Sequence, residues 1–317
     1  MGLLVEGVWQ DKWYDTSSSN GRFVREDAQF RHVIGVDERF PAESGRYHLY
    51  VSLACPWAHR TLIMRQLKAL ESHISVSVVS SLMLDQGWTF DREFGSTGDT
   101  LYDTEFLSEI YTRSKPNYSG RVTVPVLFDK QTQSIVNNES SEIIRMLNTA
   151  FDRITGNTTD FYPSALRPQI DAWNERIYPA INNGVYRAGF ATTQEAYEEA
   201  YAELFAELDH LDQHLSQHRY LCGDQITEAD IRLFTTLIRF DAVYHGHFKC
   251  NRQRIEDFDA LPNYLRDIFQ IPGVAGTVNF KHIKEHYYAS HRTINPSGVV
   301  PLGPDIDYKT PHDRDAK

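Results

Sequence analysis

RYHLYVSLACPWAHR, residues 46–60, contains a strand pattern followed directly by the start of a helix. Residues 47–51 alternate with the period of two that a β-strand produces, and residues 62–67 continue as a helix. Proline is tolerated at the first helical position because the N–H that it lacks would have no intrahelical partner there. The pattern therefore predicts a helix that begins at Pro56, with Cys55 as its N-cap.

A thiol at an N-cap faces unpaired backbone N–H groups and the positive end of the helix dipole, and both stabilise the thiolate. Such surroundings lower a cysteine pKa from about 8.5 to roughly 3.5–7.5. We therefore predict that Cys55 is a nucleophile, the alternative being a small buried cysteine at a helix start. Ala58 stands where a Cys-x-x-Cys motif has its second thiol, so an external thiol would have to resolve a mixed disulfide on Cys55.

Composition excludes several classes of function. The 317 residues predict two domains, and a net charge of −11 without a basic run argues against nucleic acid or an anionic membrane surface as a partner. No apolar run approaches the roughly 20 residues of a membrane span. The three cysteines, Cys55, Cys222 and Cys250, do not form a disulfide framework, which favours a reducing cytoplasm. No metal site is predicted.

The ends of the chain differ in pattern from its middle. Residues 1–45 are interpreted as an N-terminal extension without a core of its own. Its aromatic residues indicate packing onto the rest of the chain or onto a second subunit, and a flexible arm is the alternative. Residues 294–317 are rich in proline and glycine and are expected to form a tail that wraps the surface.

Residues 46–150 predict a small α/β domain. Alternation at residues 74–78 gives a second strand, and strand–helix–strand implies parallel pairing with a right-handed crossover. A long aromatic connection, residues 82–120, is of the kind that often carries function. Pro125 should stand at the beginning of a third strand because it cannot join a central ladder. The remaining patterns are a hairpin partner at residues 134–136 and a helix opening at residues 138–140.

Residues 160–293 are helical throughout in their pattern, with apolar residues at spacings of three and four. Thr227-x-x-Asp230 is predicted to be a capping box, although Asp is less usual than Glu or Gln at its last position. The chain therefore predicts a thioredoxin-like α/β domain followed by an all-α domain.

This organisation resembles the cytosolic glutathione transferases. Within them, four stretches resemble the glutathionyl-hydroquinone reductases, the xi class of glutathione transferases. The stretches are Cys55-Pro56-Trp57-Ala58-His59-Arg60, Gly87-Trp88, Asn182-Asn183-Gly184-Val185-Tyr186 and Ser290-His291-Arg292-Thr293-Ile294-Asn295-Pro296. The resemblance extends over nearly the whole chain.

The resemblance implies how glutathione is bound. Val124 precedes a proline that is expected to be cis, and its backbone would pair with the cysteinyl part of glutathione. Glu139 would bind the ammonium of the γ-glutamyl end, while Ser140 and helix N–H groups would bind its carboxylate. Trp88 and Arg121 match positions that line the rest of the peptide.

Tyrosines are implied around the second substrate. The family positions that surround the aromatic substrate are matched by Tyr186, Tyr244 and Tyr287. Tyr288 is the alternative to Tyr287. By residue type alone, each of the 17 tyrosines would be expected to pack with a satisfied hydroxyl. Tyr186 and Tyr287 are therefore assigned catalytic roles by the resemblance only. Cys222 and Cys250 are interpreted as structural.

The activity that the resemblance implies is glutathione-dependent reduction of glutathionyl-hydroquinones through a Cys55–glutathione disulfide. Glutathione would be a co-substrate, and a homodimer is expected. One alternative is an omega-like thiol transferase that acts on dehydroascorbate or on protein–glutathione disulfides. Another is a non-catalytic binding or scaffold protein that has kept the fold.

Overall fold

The computed structural model describes residues 2–317, with its strands in the first half of the chain. The strands are β1 (Leu3–Val5), β2 (Val8–Gln10), β3 (Tyr47–Val51), β4 (Ser75–Val78), β5 (Met83–Leu84), β6 (Gly87–Trp88), β7 (Gly120–Arg121), β8 (Val126–Asp129) and β9 (Ser134–Asn137). The α-helices are α1 (Pro56–Leu67), α2 (Leu107–Ser114), α3 (Ser140–Thr149), α4 (Asp152–Thr155), α5 (Arg167–Ile177), α6 (Gly184–Gly189), α7 (Gln194–Leu215), α8 (Glu228–Arg239), α9 (Leu261–Gln270) and α10 (Phe280–Ser290). Short 3-10 and π-helical turns join several of them.

The central sheet has the strand order β4–β3–β8–β9. β3 pairs in parallel with β4 and antiparallel with β8, which in turn pairs antiparallel with β9. This arrangement confirms the predicted strand–helix–strand unit followed by a hairpin, and β8 begins directly after Pro125. α1 and α3 pack against each other.

β3 is buried along its whole length, although its alternating pattern is typical of a strand with one wet face. The polar side chains on that second face have internal partners. His48 contacts the hydroxyls of Ser75 and Ser77 at 2.7 and 2.9 Å, and the Tyr50 hydroxyl donates to Asp99 at 3.1 Å. Burial lowers the pKa of His48 to about 4, so the imidazole is neutral near pH 7. The polar residues of β3 are therefore structural.

The first part of the N-terminal extension joins a sheet. β1 pairs antiparallel with β2 and also with β7, giving a three-stranded sheet of order β2–β1–β7. Of the predicted alternatives, packing onto the rest of the chain is the one observed for this part.

The chain divides into two compact units. The thioredoxin-like unit comprises Met1–Trp13, Glu26–Thr159 and Thr277–Arg292, and the helical unit comprises Tyr14–Arg25, Asp160–Gly276 and Thr293–Lys317. This division differs from the expected domains at two places. The extension is shared between the units, and α10 belongs to the thioredoxin-like unit and not to the helical one. Sequence order alone does not reveal such a return of the chain.

Capping contacts define the ends of helices in the helical unit. The predicted capping box at Thr227 and Asp230 is present, and the Thr227 N–H donates to the Asp230 carboxylate at 2.8 Å.

The C-terminal tail returns to α7, where the buried Arg314 donates to the carbonyl of Leu215 at 2.7 Å. No helix within residues 2–317 is long and apolar enough to cross a membrane.

Candidate active site

Cys55 occupies the N-cap of α1, as predicted, with Pro56 at the first helical position. The side chain is partly exposed, and its Sγ lies 3.6 Å from the carbonyl oxygen of Val124, to which the thiol donates. The fold therefore brings together the predicted nucleophile and the residue predicted to pair with the cysteinyl part of glutathione, although 69 positions separate them in sequence.

The Val124–Pro125 peptide is cis, as expected. Tyr111 holds the residue before it: its hydroxyl donates to the Thr123 carbonyl at 2.8 Å and accepts from the Thr123 N–H at 3.2 Å. The same hydroxyl accepts from the Asn138 amide at 3.2 Å. This buried phenol therefore joins the segment before Val124 to the segment before Glu139. Sequence reasoning missed Tyr111, because its position in α2 carries no signal of these contacts.

Glu139 and Ser140 stand at the beginning of α3. Glu139 is the N-cap, and its carboxylate accepts from the N–H and the hydroxyl of Ser141 at 3.0 and 2.8 Å. Ser140 is buried, and its hydroxyl oxygen accepts from the Arg60 guanidinium at 3.3 Å. Arg60 also lies over the Trp57 ring at 4.5 Å. Arg60 of α1 is thus directed towards the N-terminus of α3, which is predicted to bind the γ-glutamyl end.

Trp88 ends the two-stranded β5–β6 hairpin and is 5% exposed. Its indole stacks on the imidazole of His286, with ring centroids 4.9 Å apart and planes 20° apart. His286 lies on α10 and was not predicted as a site residue. The aromatic group that it forms with Trp88 depends on contacts nearly 200 positions apart in sequence.

Arg121 contacts the N-terminal extension. Its guanidinium donates to the carbonyls of Lys12 and Trp13 at 2.5 and 3.3 Å, and Glu26 lies 3.6 Å from its Nε. These contacts give Arg121 an observed role in holding the extension on the thioredoxin-like unit. Its predicted contact with glutathione remains a prediction.

Tyr186 and Tyr244 lie together in the helical unit, with ring centroids 6.0 Å apart. Tyr186 is on α6, directly after one π-helical turn, and Tyr244 ends another, Phe240–Tyr244. The Arg25 guanidinium lies 4.7 Å over the Tyr186 ring. Tyr244 is fully buried and stacks on Phe248 at 5.5 Å. Arg25 was missed because it comes from the extension.

Tyr287 and Tyr288 lie on α10, in the thioredoxin-like unit. Tyr287 is 1% exposed and makes edge contacts with His286 at 5.2 Å and His291 at 5.4 Å, whereas Tyr288 is partly exposed. His291 also contacts the Trp13 ring at 6.2 Å. His291, from the family stretch that begins at Ser290, is therefore part of one aromatic and histidine cluster.

Comparison with known proteins identifies the family. The family models for the Glutathione S-transferase, N-terminal domain and the Glutathione S-transferase, C-terminal domain match residues 54–150 and 194–267. Glutathionyl-hydroquinone reductase YqjG of Escherichia coli is 59% identical, with 100% of this chain and 99% of that protein covered. Glutathionyl-hydroquinone reductase PcpF of Sphingobium chlorophenolicum is 55% identical, with 96% of each chain covered. The chain belongs to the glutathionyl-hydroquinone reductases, the xi class of glutathione transferases.

Solved structures of xi-class and related enzymes have the same fold. The glutathione-bound structure of YqjG superposes with a TM-score of 0.91 at 56% identity, covering 99% of each chain. A xi-class enzyme from Natrialba magadii superposes with a TM-score of 0.93 at 50% identity, covering 100% of this chain and 97% of that one. The protein thus has the architecture of a glutathione transferase, a thioredoxin-like α/β domain with an all-α domain.

The other two cysteines are poor nucleophiles. Burial, with a contribution from Asp230, raises the pKa of Cys222 to about 11, and burial alone raises the pKa of Cys250 well above its usual range. Neither Cys222 nor Cys250 forms a disulfide. Among the three cysteines, Cys55 therefore remains the predicted nucleophile. Within residues 2–317, no group of three or more His, Cys, Asp or Glu side chains is arranged to bind a metal ion.

Proposed function

We propose that this enzyme reduces glutathionyl-hydroquinones to hydroquinones with glutathione as co-substrate. The observation that carries the proposal is the position of Cys55, partly exposed at the N-cap of α1 and 3.6 Å from the Val124 carbonyl, with Ala58 in place of a resolving thiol. The names of the relatives YqjG and PcpF support the same substrate class.

The first half-reaction is nucleophilic attack by the Cys55 thiolate on the sulfur of the glutathionyl group. The ring carbon that bears the sulfur first takes up a proton as the ring shifts to its keto tautomer. The carbon–sulfur bond then breaks, its electron pair restores the aromatic ring as a phenolate, and the phenolate oxygen takes a proton. The products are the hydroquinone and a Cys55–glutathione disulfide. The N-terminus of α1 favours the thiolate that this step requires.

A ring carbon is a poor leaving group unless it is protonated, so the enzyme must favour the keto tautomer of the ring. Hydrogen bonds from tyrosine hydroxyls to the ring oxygens would stabilise that tautomer. We assign this role to Tyr186 and Tyr287, with Tyr244 packed against Tyr186 as part of the wall of the aromatic-substrate pocket. Tyr288, the more exposed neighbour of Tyr287, is the alternative.

The second half-reaction removes glutathione from Cys55. A second glutathione, as its thiolate, attacks the glutathione sulfur of the mixed disulfide, Cys55 leaves as a thiolate, and glutathione disulfide is released. The two glutathione sulfurs, one from the thioether and one from the free thiol, are thereby oxidised by one electron each, while the ring carbon is reduced by two. Because Ala58 cannot perform this step, the kinetics should be ping-pong.

Glutathione binding is assigned to the thioredoxin-like unit. The Val124 backbone would pair with the cysteinyl part, and Glu139 and Ser140 at the N-terminus of α3 would bind the charged γ-glutamyl end. Trp88 and Arg121 would contact the rest of the peptide. The carboxylate of Glu139 and the N-terminal N–H groups of α3 match the two opposite charges of that end.

Substitution of Cys55 tests the assignment directly. Cys55→Ser is expected to abolish hydroquinone release, measured by chromatography with glutathione in excess. Cys222→Ser is the matched control. It also removes a partly exposed thiol, but the pKa of Cys222 is raised, so this variant should retain activity. Full activity in Cys55→Ser would contradict the proposal.

The second candidate is an omega-like thiol transferase. Cys55 at the N-cap of α1 supports this candidate as well, because that activity would also proceed through a mixed disulfide with glutathione. The tyrosines separate the two activities. Tyr186→Phe and Tyr287→Phe should lose hydroquinone release while they retain exchange with glutathione disulfide. Equal losses of both activities would contradict the assigned tyrosine roles.

We also propose a homodimer in the cytoplasm. The family resemblance supports the dimer, and three cysteines that do not form a disulfide framework support the cytoplasm. Sedimentation velocity at micromolar protein should give a single species of twice the chain mass. A monomer at every concentration tested would contradict the proposal.

A further inference from the structure

The β5–β6 hairpin that carries Trp88 is too small to hold its own shape. Its ladder consists of two residue pairs, Met83 with Trp88 and Leu84 with Gly87. An isolated two-stranded hairpin is at best marginally stable in water. The position of the indole therefore depends on what the rest of the thioredoxin-like unit places against this hairpin.

Helix α10 supports the hairpin from the C-terminal side. The Ser81 hydroxyl donates to Glu285 at 2.8 Å, and the Met83 N–H donates to the Ser290 hydroxyl at 3.0 Å. Between these two contacts, Nδ1–H of His286 donates to the Ser81 carbonyl at 3.2 Å. Three hydrogen bonds thus attach one helix to the segment that leads into β5.

The His286 hydrogen bond also orients the ring that stacks on Trp88. The imidazole covers one face of the indole at 4.9 Å, and both side chains are 5% exposed. The hydrogen bond to Ser81 fixes the rotation of the imidazole, and the nearly parallel stack transfers that orientation to the indole.

The β1–β2 hairpin, near the N-terminus, supports the β5–β6 hairpin from the other end of the chain. Nε1–H of Trp9 donates to the carbonyl of Asp85 in the β5–β6 turn at 2.9 Å. Gly87 has a φ of +67°, and a Cβ there would lie 2.5 Å from the Trp9 ring. Only glycine allows this close approach, so the Trp9 indole packs directly on the backbone next to Trp88.

We propose that His286 and Trp9 are positioning residues that fix Trp88 for binding the glutathionyl group. The inference rests on the proposed role of Trp88 in glutathione binding. Both residues act by preorganisation, because an indole that is already held loses less conformational entropy when the ligand binds. Neither residue needs to touch the reacting atoms.

A double-mutant cycle tests whether His286 acts through Trp88. The variants are His286→Ala, Trp88→Ala and the double variant, and the readout is the dissociation constant for S-methylglutathione, measured by calorimetry on the full chain. His286→Ala should weaken binding roughly tenfold in the wild-type background and less than about twofold in the Trp88→Ala background. Equal effects in the two backgrounds would overturn the proposal.

Conservative variants separate positioning from general packing. His286→Phe keeps a ring on the indole but loses the bond to Ser81, so its affinity should lie between those of the wild type and His286→Ala. Trp9→Phe should likewise weaken S-methylglutathione binding less than Trp9→Ala. His214→Ala is the matched control, because it removes a tryptophan–histidine contact in the helical unit, with Trp173 at 4.7 Å, and should leave the affinity unchanged.

The steady-state constants KM and kcat give an independent readout. A positioning role predicts that His286→Ala raises KM for the glutathionyl-hydroquinone about as much as it weakens S-methylglutathione binding, with kcat within about twofold of the wild type. Loss of thermal stability with unchanged binding would overturn the proposal. Unchanged binding in Trp88→Ala would overturn it too, but would leave the Cys55 chemistry standing, since Cys55→Ser tests that chemistry separately.

Discussion

Cys55 is placed by residue-scale forces that are largely local. Pro56 is the first residue of α1 and Cys55 is its N-cap, so the thiol lies at the positive end of the helix dipole. One contact opposes the thiolate: the thiol donates to the Val124 carbonyl at 3.6 Å. Sulfur is a weak donor, and we expect the helix N-terminus to dominate.

The ionisation of Cys55 can be measured without interference from the other thiols. Because the pKa of Cys222 is raised to about 11 and that of Cys250 is raised further by burial, the thiolate absorbance between about pH 4 and pH 9 reports Cys55 alone. We predict a midpoint below about 8.5, and no step in Cys55→Ser. A midpoint at or above about 9 would contradict activation by the helix.

At the scale of elements, two buried carboxylates stabilise the ends of a helix and of a strand through hydrogen bonds. Asp230 caps α8 from inside the helical unit, and Asp129 at the end of β8 binds the guanidinium of Arg46, which precedes β3. Each places a carboxylate among several donors. Each therefore makes a prediction about stability that does not depend on the active site.

Asp230 accepts hydrogen bonds from four groups on three segments: the N–H of Leu221, the N–H and hydroxyl of Thr227, and the hydroxyl of Tyr264, at 2.8–2.9 Å. Asp230→Ala leaves these buried donors without an acceptor, so the free energy of unfolding should fall by about 3 kcal/mol or more. Asp230→Asn retains an acceptor oxygen and should cost less. Urea unfolding measures both, and a loss below about 1 kcal/mol in Asp230→Ala would contradict the assignment.

Asp129 makes a prediction about acid stability. Burial opposes its ionisation, but the bonds from Arg46, Thr132 and Gln131 outweigh burial and hold the carboxyl pKa below its usual value. Stability from this group is therefore present above the unfolded-state pKa of about 3.9 and is lost as the pH falls through the folded-state pKa. The difference in unfolding free energy between the wild type and Asp129→Asn should shrink below about pH 4. A constant difference from pH 7 to pH 3 would contradict the prediction.

At the scale of the whole molecule, the parts predicted from sequence are those set by local pattern. Pro56 and Pro125 locate the start of α1 and of β8, and the Thr227 motif locates the start of α8. What the sequence did not predict depends on distant contacts. The alternation of β3 gives no sign that its second face is also covered, because its cover comes from residues 75–99.

The membership of α10 in the thioredoxin-like unit was missed for the same reason. A helical pattern states which side of a helix is apolar but not which part of the chain packs there. His286 and Trp9 meet the Trp88 hairpin from opposite ends of the chain, and no spacing in the sequence announces either contact. The residues near the predicted site could thus be named in part by resemblance, while their supports required the structure.

The most direct test of the central claim is mass spectrometry of the protein after incubation with a glutathionyl-hydroquinone in the absence of free glutathione. We predict an adduct of about 305 Da, one glutathionyl group, on the peptide that contains Cys55, with one equivalent of hydroquinone released. An adduct that forms with glutathione disulfide but not with the glutathionyl-hydroquinone would favour the omega-like activity. No adduct with either compound would contradict covalent catalysis by Cys55.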